Sequence, residues 1–145
     1  MSEANKALVR RVFEEAFNER KVALIDELYP DCAFRAPAVG EVRGEAYRQF
    51  MKSVIEAFPD GRWKVEDQVA EGDRVATRWS FIGTHRNTLM GIAPSGKEVA
   101  LSGIMIDRIV GGKFVDEWEE WDTLGMMHQL GAIPSAPRVE NTVAD

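Results

Sequence analysis

Gly111-Gly112-Lys113-Phe114-Val115-Asp116-Glu117-Trp118-Glu119-Glu120-Trp121-Asp122 reads as a compact turn feeding a strand in which acidic side chains sit among large aromatics. A strand's period of two puts Phe114, Asp116, Trp118, Glu120 and Asp122 on one face and Val115, Glu117, Glu119 and Trp121 on the other. The first face is expected to be the pocket wall, which makes Asp122 the leading catalytic candidate. A carboxylic acid held against apolar surface loses hydration of its charged form, so its pKa rises and it can carry protons near neutral pH. The competing reading is a solvated acidic edge of Glu117, Glu119 and Glu120 with both tryptophans in the core.

Upstream of this strand the same alternation recurs over residues 62–70, 74–84 and 97–110. Glu71-Gly72-Asp73 and Gly111-Gly112 are hairpin turns, so consecutive strands are expected to be antiparallel neighbours. The link over residues 85–96 is longer, holds Pro94 and two glycines, and suits a pocket rim. Before residue 60 the period is helical. Leu8, Val9, Val12, Phe13, Ala16 and Phe17 define a first amphipathic helix over residues 3–20. Ala23, Leu24, Ile25 and Leu28 mark a short second helix ended at Tyr29-Pro30. Phe34 and residues 41–44 form short strands. Tyr47, Phe50, Met51, Val54, Ile55 and Phe58 share one face of a third helix, closed by Pro59-Asp60-Gly61. Helices followed by a long antiparallel meander give an α+β class, with helices covering one face of a curved, cone-shaped sheet. Residues 124–130 add a last helical turn.

At 145 residues the chain has the size of one domain, expected over residues 1–131 with a tail over 132–145. A net charge of -6 and the lack of a basic run argue against nucleic acid and anionic membrane as partners. Cys32 is the single cysteine, which excludes an internal disulfide and a cysteine-rich metal site. The two histidines, His85 and His128, have no carboxylate at ligand spacing, so no metal is expected. No apolar run reaches the length of a membrane span, and the expected location is the cytoplasm.

Gly83-Thr84-His85, Met90-Gly91-Ile92-Ala93-Pro94-Ser95-Gly96-Lys97, Gly112-Lys113-Phe114-Val115, Trp118, Trp121-Asp122 and Gln129-Leu130-Gly131 together resemble the SnoaL-like polyketide cyclase family, over most of residues 4–131. The resemblance implies the nuclear transport factor 2-like (cystatin-like) architecture, a cone of curved sheet around a deep apolar pocket. It further implies a cofactor-independent enzyme acting on a hydrophobic carbonyl compound. In the family's cyclases an aspartate near the end of the last strand serves as acid/base for an intramolecular aldol closure, and by motif Asp122 holds that place. Those cyclases also draw a histidine from the neighbouring strand, where this chain has Ile104-Met105-Ile106.

Supporting residues are assigned around Asp122. His85 is placed at the pocket mouth as a proton relay or, equally, as a structural bond pinning the loop. Arg78 is expected either inward, paired with Asp122 or Glu120, or outward at the surface or a dimer contact. Trp63, Met90, Trp118 and Glu120 complete the expected substrate-binding set. The limonene epoxide hydrolase-like branch places an aspartate two residues after such an arginine, where this chain has Ser80. Two function classes follow: an acid/base cyclase or isomerase, with a hydrolase as its variant, and a non-catalytic pocket protein. A homodimer through the outer sheet face is expected from large residues on both faces of strands 74–84 and 97–110.

Overall fold

The computed structural model describes residues 2–134; of the expected tail, residues 135–145 lie outside it. Helix α1 (Ser2–Arg11) runs directly into a π-helical segment (Val12–Asn18), followed by α2 (Ala23–Leu28), β1 (Ala33–Ala36), β2 (Gly40–Arg43) and α3 (Glu45–Ala57). The meander is β3 (Arg62–Glu71), β4 (Arg74–Thr84), β5 (Glu98–Val110) and β6 (Lys113–Trp121), and α4 (Thr123–Leu130) closes the chain. The six strands form one curved sheet in the order β2-β1-β6-β5-β4-β3. β3 to β6 are antiparallel throughout. β1 pairs with β6 in parallel, so the sheet is extended past the meander by the short β1–β2 hairpin.

Two bulges set which residues face inward. On β3 the register shifts between Val65 and Asp67, so Trp63 and Val65 and then Gln68 and Ala70 face the helices. On β6 the register shifts at Val115: Ile109 faces Phe114 while Arg108 faces Asp116. An extra residue in one strand flips the alternation beyond it and bends the strand. Phe114 and Glu117 are therefore both buried although three residues apart.

Beyond the bulge the inward row is Glu117, Glu119 and Trp121, the reverse of the wall expected from alternation alone. Trp118 instead lies on the outer face, between the guanidinium groups of Arg35 at 5.1 Å and Arg74 at 5.5 Å. Stacked cations satisfy an indole outside the core, and this leaves the inner position to Glu117.

The first helical run crosses β3 and β4 and is locked by Asn18, whose side chain accepts from Trp63 N at 2.7 Å and donates to Trp63 O at 2.8 Å. This imitates one rung of a β-ladder. Gln129 does the same for α4, accepting from Ala100 N and donating to Ala100 O. Helices and inner sheet face enclose one core, from Val9 and Phe13 through Ile25, Phe34, Tyr47 and Phe58 to Phe114, Met126 and Leu130. No helix among the described residues is long and apolar enough to cross a membrane.

Candidate active site

Between the helices and the sheet lies an open cavity. Aromatic side chains make most of its wall: Phe13 and Phe17 from the π-helical turn, Phe34 from β1, Tyr47 and Phe50 from α3, and Trp63, Trp79 and Phe81 from β3 and β4. Gly103 makes room for the Trp79 ring, because a Cβ there would stand 2.6 Å from an indole carbon and 2.8 Å from the Glu120 carbonyl oxygen. Among the described residues the lining holds two carboxyl groups, Glu117 and Glu119, and no Lys, Arg or His. Such a cavity, largely apolar with a few convergent polar groups, has the character of a small-molecule site.

Glu119 stands in the β6 wall with its side chain among Trp79, Met105 and Trp121. Burial first, and repulsion from Glu117 second, push its carboxyl up from 4.5 to about 8. The Trp79 indole N–H, buried and without a hydrogen bond of normal geometry, partly offsets this rise. Glu117 lies deeper, 2% exposed, and accepts a hydrogen bond from the Tyr47 hydroxyl. Tyr47 is held for that contact by stacking on Phe34, with ring centres 4.5 Å apart, and by an edge contact with Tyr29. Opposite Glu117 on β5 is Asp107, fully buried. Burial raises the carboxyls of both, Asp107 to about 7 and Glu117 well above its ordinary range, the latter also through Asp107's charge.

Sequence reasoning missed Glu117, Glu119 and Asp107 as site residues. The inward orientation of Glu117 and Glu119 depends on the Val115 bulge, which no spacing rule announces, whereas Asp107 shares the regular inward row of β5 with Met105 and Ile109. One signal was available: a third acidic residue, Asp107, interrupts the otherwise apolar Ile104-Met105-Ile106 and Ile109-Val110 of the facing strand.

The expected site residues fall into four groups. Trp63 and Met90 line the cavity. Trp118, Glu120 and Arg78 stand on the outer face, where Arg78 bonds to Asp67 at 2.9 Å, so none of them reaches the cavity. Ser80 faces outward too, bonded to Glu66, and the arginine-centred arrangement of the epoxide hydrolase branch is therefore absent from the cavity among the described residues. Asp122, expected inside an apolar cavity, is instead exposed at the N-terminus of α4. Its carboxylate accepts from Gly125 N at 2.9 Å as a helix cap, and a Cβ at Gly125 would push that carboxylate aside. Beyond the Val115 bulge Asp122 falls in the outward row with Trp118 and Glu120, and strand β6 ends before it at Trp121.

His85 is wholly buried behind the cavity wall against Phe58. Its Nδ1 accepts from Ser95 N at 3.1 Å, which assigns the ring proton to Nε2. His85 N donates to Lys97 O and Gly96 N donates to His85 O, so the residue fastens both ends of the 85–97 loop. Leu89 and Met90, carried by that loop, close one side of the cavity. No group of His, Cys, Asp and Glu among the described residues is arranged to hold a metal ion.

The SnoaL-like polyketide cyclase profile matches residues 7–130. Among solved structures, TsrD from Streptomyces laurentii is similar with 30% identity and a TM-score of 0.78, over 92% of this chain and 99% of that one. AclR from Streptomyces galilaeus, described as a proposed hydroxylase, is similar with 28% identity and a TM-score of 0.79, over 92% and 100%. A proposed polyketide cyclase from Acidithiobacillus ferrooxidans shares 25% identity at a TM-score of 0.75, over 88% and 94%. No curated protein sequence matches.

Proposed function

The chain belongs to the SnoaL-like polyketide cyclase family, and on that footing we propose that it is a cofactor-independent cyclase or isomerase of a hydrophobic carbonyl compound, with Glu119 as its general acid/base. The observation that carries this reading is the place of Glu119: a carboxyl in the wall of an aromatic cavity, with no cation in the lining among the described residues and a pKa raised to about 8. A proton-transfer group works best when its pKa lies near the working pH. Asp122 caps α4 in solvent, outside that cavity.

The chemistry is an intramolecular aldol closure. The Glu119 carboxylate takes a proton from the carbon next to a carbonyl. The resulting enolate attacks a second carbonyl of the same molecule, forming the new carbon–carbon bond, and the alkoxide so produced takes the proton back from the Glu119 carboxyl. The buried Trp79 indole N–H, beside Glu119, is placed to donate to an oxygen that gains negative charge in this sequence. A flat, conjugated substrate stacked on the aromatic walls displaces the cavity water, which would otherwise quench the enolate.

The test is ring closure of neutral, partly cyclised polyketide carbonyl compounds by the wild-type protein and by Glu119→Gln, followed by product mass and chromatography. Closure by the wild type and its loss in the variant support the assignment; tight binding without turnover by the wild type favours the non-catalytic pocket protein.

We also propose a homodimer through the outer sheet face, where Ile104 and Ile106, neighbours on the outer row of β5 with Ala76 opposite Ile106, are 53% and 40% exposed.

A further inference from the structure

The aldol reading uses one of three inward carboxyls and leaves two unexplained. Asp107 and Glu117 sit directly opposite each other in the β5–β6 ladder, both fully buried. Both Asp107 oxygens and Glu117 Oε2 find no donor among the described residues, while Glu117 Oε1 is held by Tyr47. Two buried carboxylates facing one another without a cation cost several kcal/mol. A single proton between them removes one charge and supplies the missing donor, with protonated Glu117 donating to the Asp107 carboxylate. A chain results: Tyr47 hydroxyl to Glu117, Glu117 to Asp107. Glu119 follows Glu117 by two residues on the same face.

We propose that Asp107 and Glu117 are positioning residues for Glu119: pinned by Tyr47, they hold one proton between them, and the one negative charge that remains behind the cavity wall adds to burial in keeping the Glu119 carboxyl protonated. This rests on the reading of Glu119 as the acid/base. The other titratable groups of the cluster are Tyr29, Tyr47 and Cys32, each pushed up by burial first and by the neighbouring carboxylates next. All are neutral at working pH, and the cavity lining contributes no basic group among the described residues. The pair's charge is the charge that Glu119 meets from the β5–β6 ladder behind the cavity wall. A fixed charge of this kind does for a base what a tuned neighbour does in other carboxyl dyads: it separates two similar groups into one that stays charged and one that exchanges its proton near neutrality.

The experiment is a carbon-13 titration of the glutamate and aspartate carboxyls of the whole protein from about pH 4 to about pH 10, with Glu119 assigned by its loss in Glu119→Gln. In the wild type, Glu117 is expected to carry its proton at neutral pH and Glu119 to titrate near 8. In Asp107→Asn the new amide donates in place of the shared proton and the Asp107 charge is gone, so the Glu117 titration is expected to move downward from its wild-type position. In Asp107→Asn/Glu117→Gln the pair's charge is gone, and the Glu119 midpoint is expected to fall by about one pH unit or more. Tyr47→Phe, which keeps the ring, serves if the double variant does not fold: losing the donor at Oε1 moves the Glu117 titration upward. A wild-type Glu117 ionised at neutral pH, or a Glu119 midpoint unmoved in the double variant, overturns the pair while leaving the acid/base reading intact. A wild-type Glu119 titrating at 4.5 overturns both.

Discussion

Glu119→Gln is expected to stabilise the protein at alkaline pH while leaving it unchanged in acid. The folded carboxyl titrates near 8 against an ordinary 4.5, so between those values the folded chain binds more protons than the unfolded chain. The group's contribution to stability is therefore fully present below 4.5 and is lost as pH rises through 8. At about 1.4 kcal/mol per pH unit the full gap sets a ceiling of about 5 kcal/mol. Water in the open cavity screens part of the penalty, leaving about 2–3 kcal/mol. For a domain of this size that corresponds to about 6–12 °C in melting temperature. The assay is calorimetry of wild type and variant from about pH 5 to about pH 9. Coincident melting temperatures at the acid end, with the variant melting higher by this amount at the alkaline end, are expected. Curves that superimpose across the range would refute the burial argument, since a glutamate in water gains nothing from becoming an amide.

Three further outcomes are expected. Asp122→Ala removes the α4 cap and should cost about 1 kcal/mol in denaturant unfolding, while ligand affinity for the cavity is unchanged. Gly103→Ala drives a methyl into the Trp79 ring and the Glu120 carbonyl, so a loss of about 1–3 kcal/mol and a shifted Trp79 fluorescence are expected; full stability would show that the ring has free room. Ile104→Lys on the outer face should convert a dimer into a monomer in light scattering, and a wild-type monomer at micromolar concentration would dismiss the dimer.

Most of the architecture was legible because it follows from periodicity. The change from helical to alternating pattern near residue 60, the Glu71-Gly72-Asp73 and Gly111-Gly112 turns and the Pro59-Asp60-Gly61 stop are local signals with local causes, and β3 to β6 follow them. The parallel docking of β1 on β6 was not legible, since a four-residue strand carries no record of its partner. The site was harder still. Alternation gives two faces without saying which is inside, and the Val115 bulge puts Phe114 and Glu117 on the same side. Trp118 looked like a core residue until Arg35 and Arg74, distant in sequence, supplied a stack outside. Asp122 carried the family's motif position, yet β6 stops before it and a helix begins. His85 illustrates the same limit: its Gly-Thr-His context says that it matters, whereas its bonds to the 85–97 loop show how.

The most direct test of the account compares Glu119→Gln with Asp122→Asn in ring closure of a polyketide carbonyl compound that the wild type turns over, with folding of both variants verified by melting. The amide in each case keeps size and removes proton transfer. The account predicts a rate loss of roughly 10²-fold or more for Glu119→Gln and a rate near wild type for Asp122→Asn. A folded Asp122→Asn that has lost turnover, beside a Glu119→Gln that retains it, would contradict the central claim and return the acid/base role to the end of the last strand.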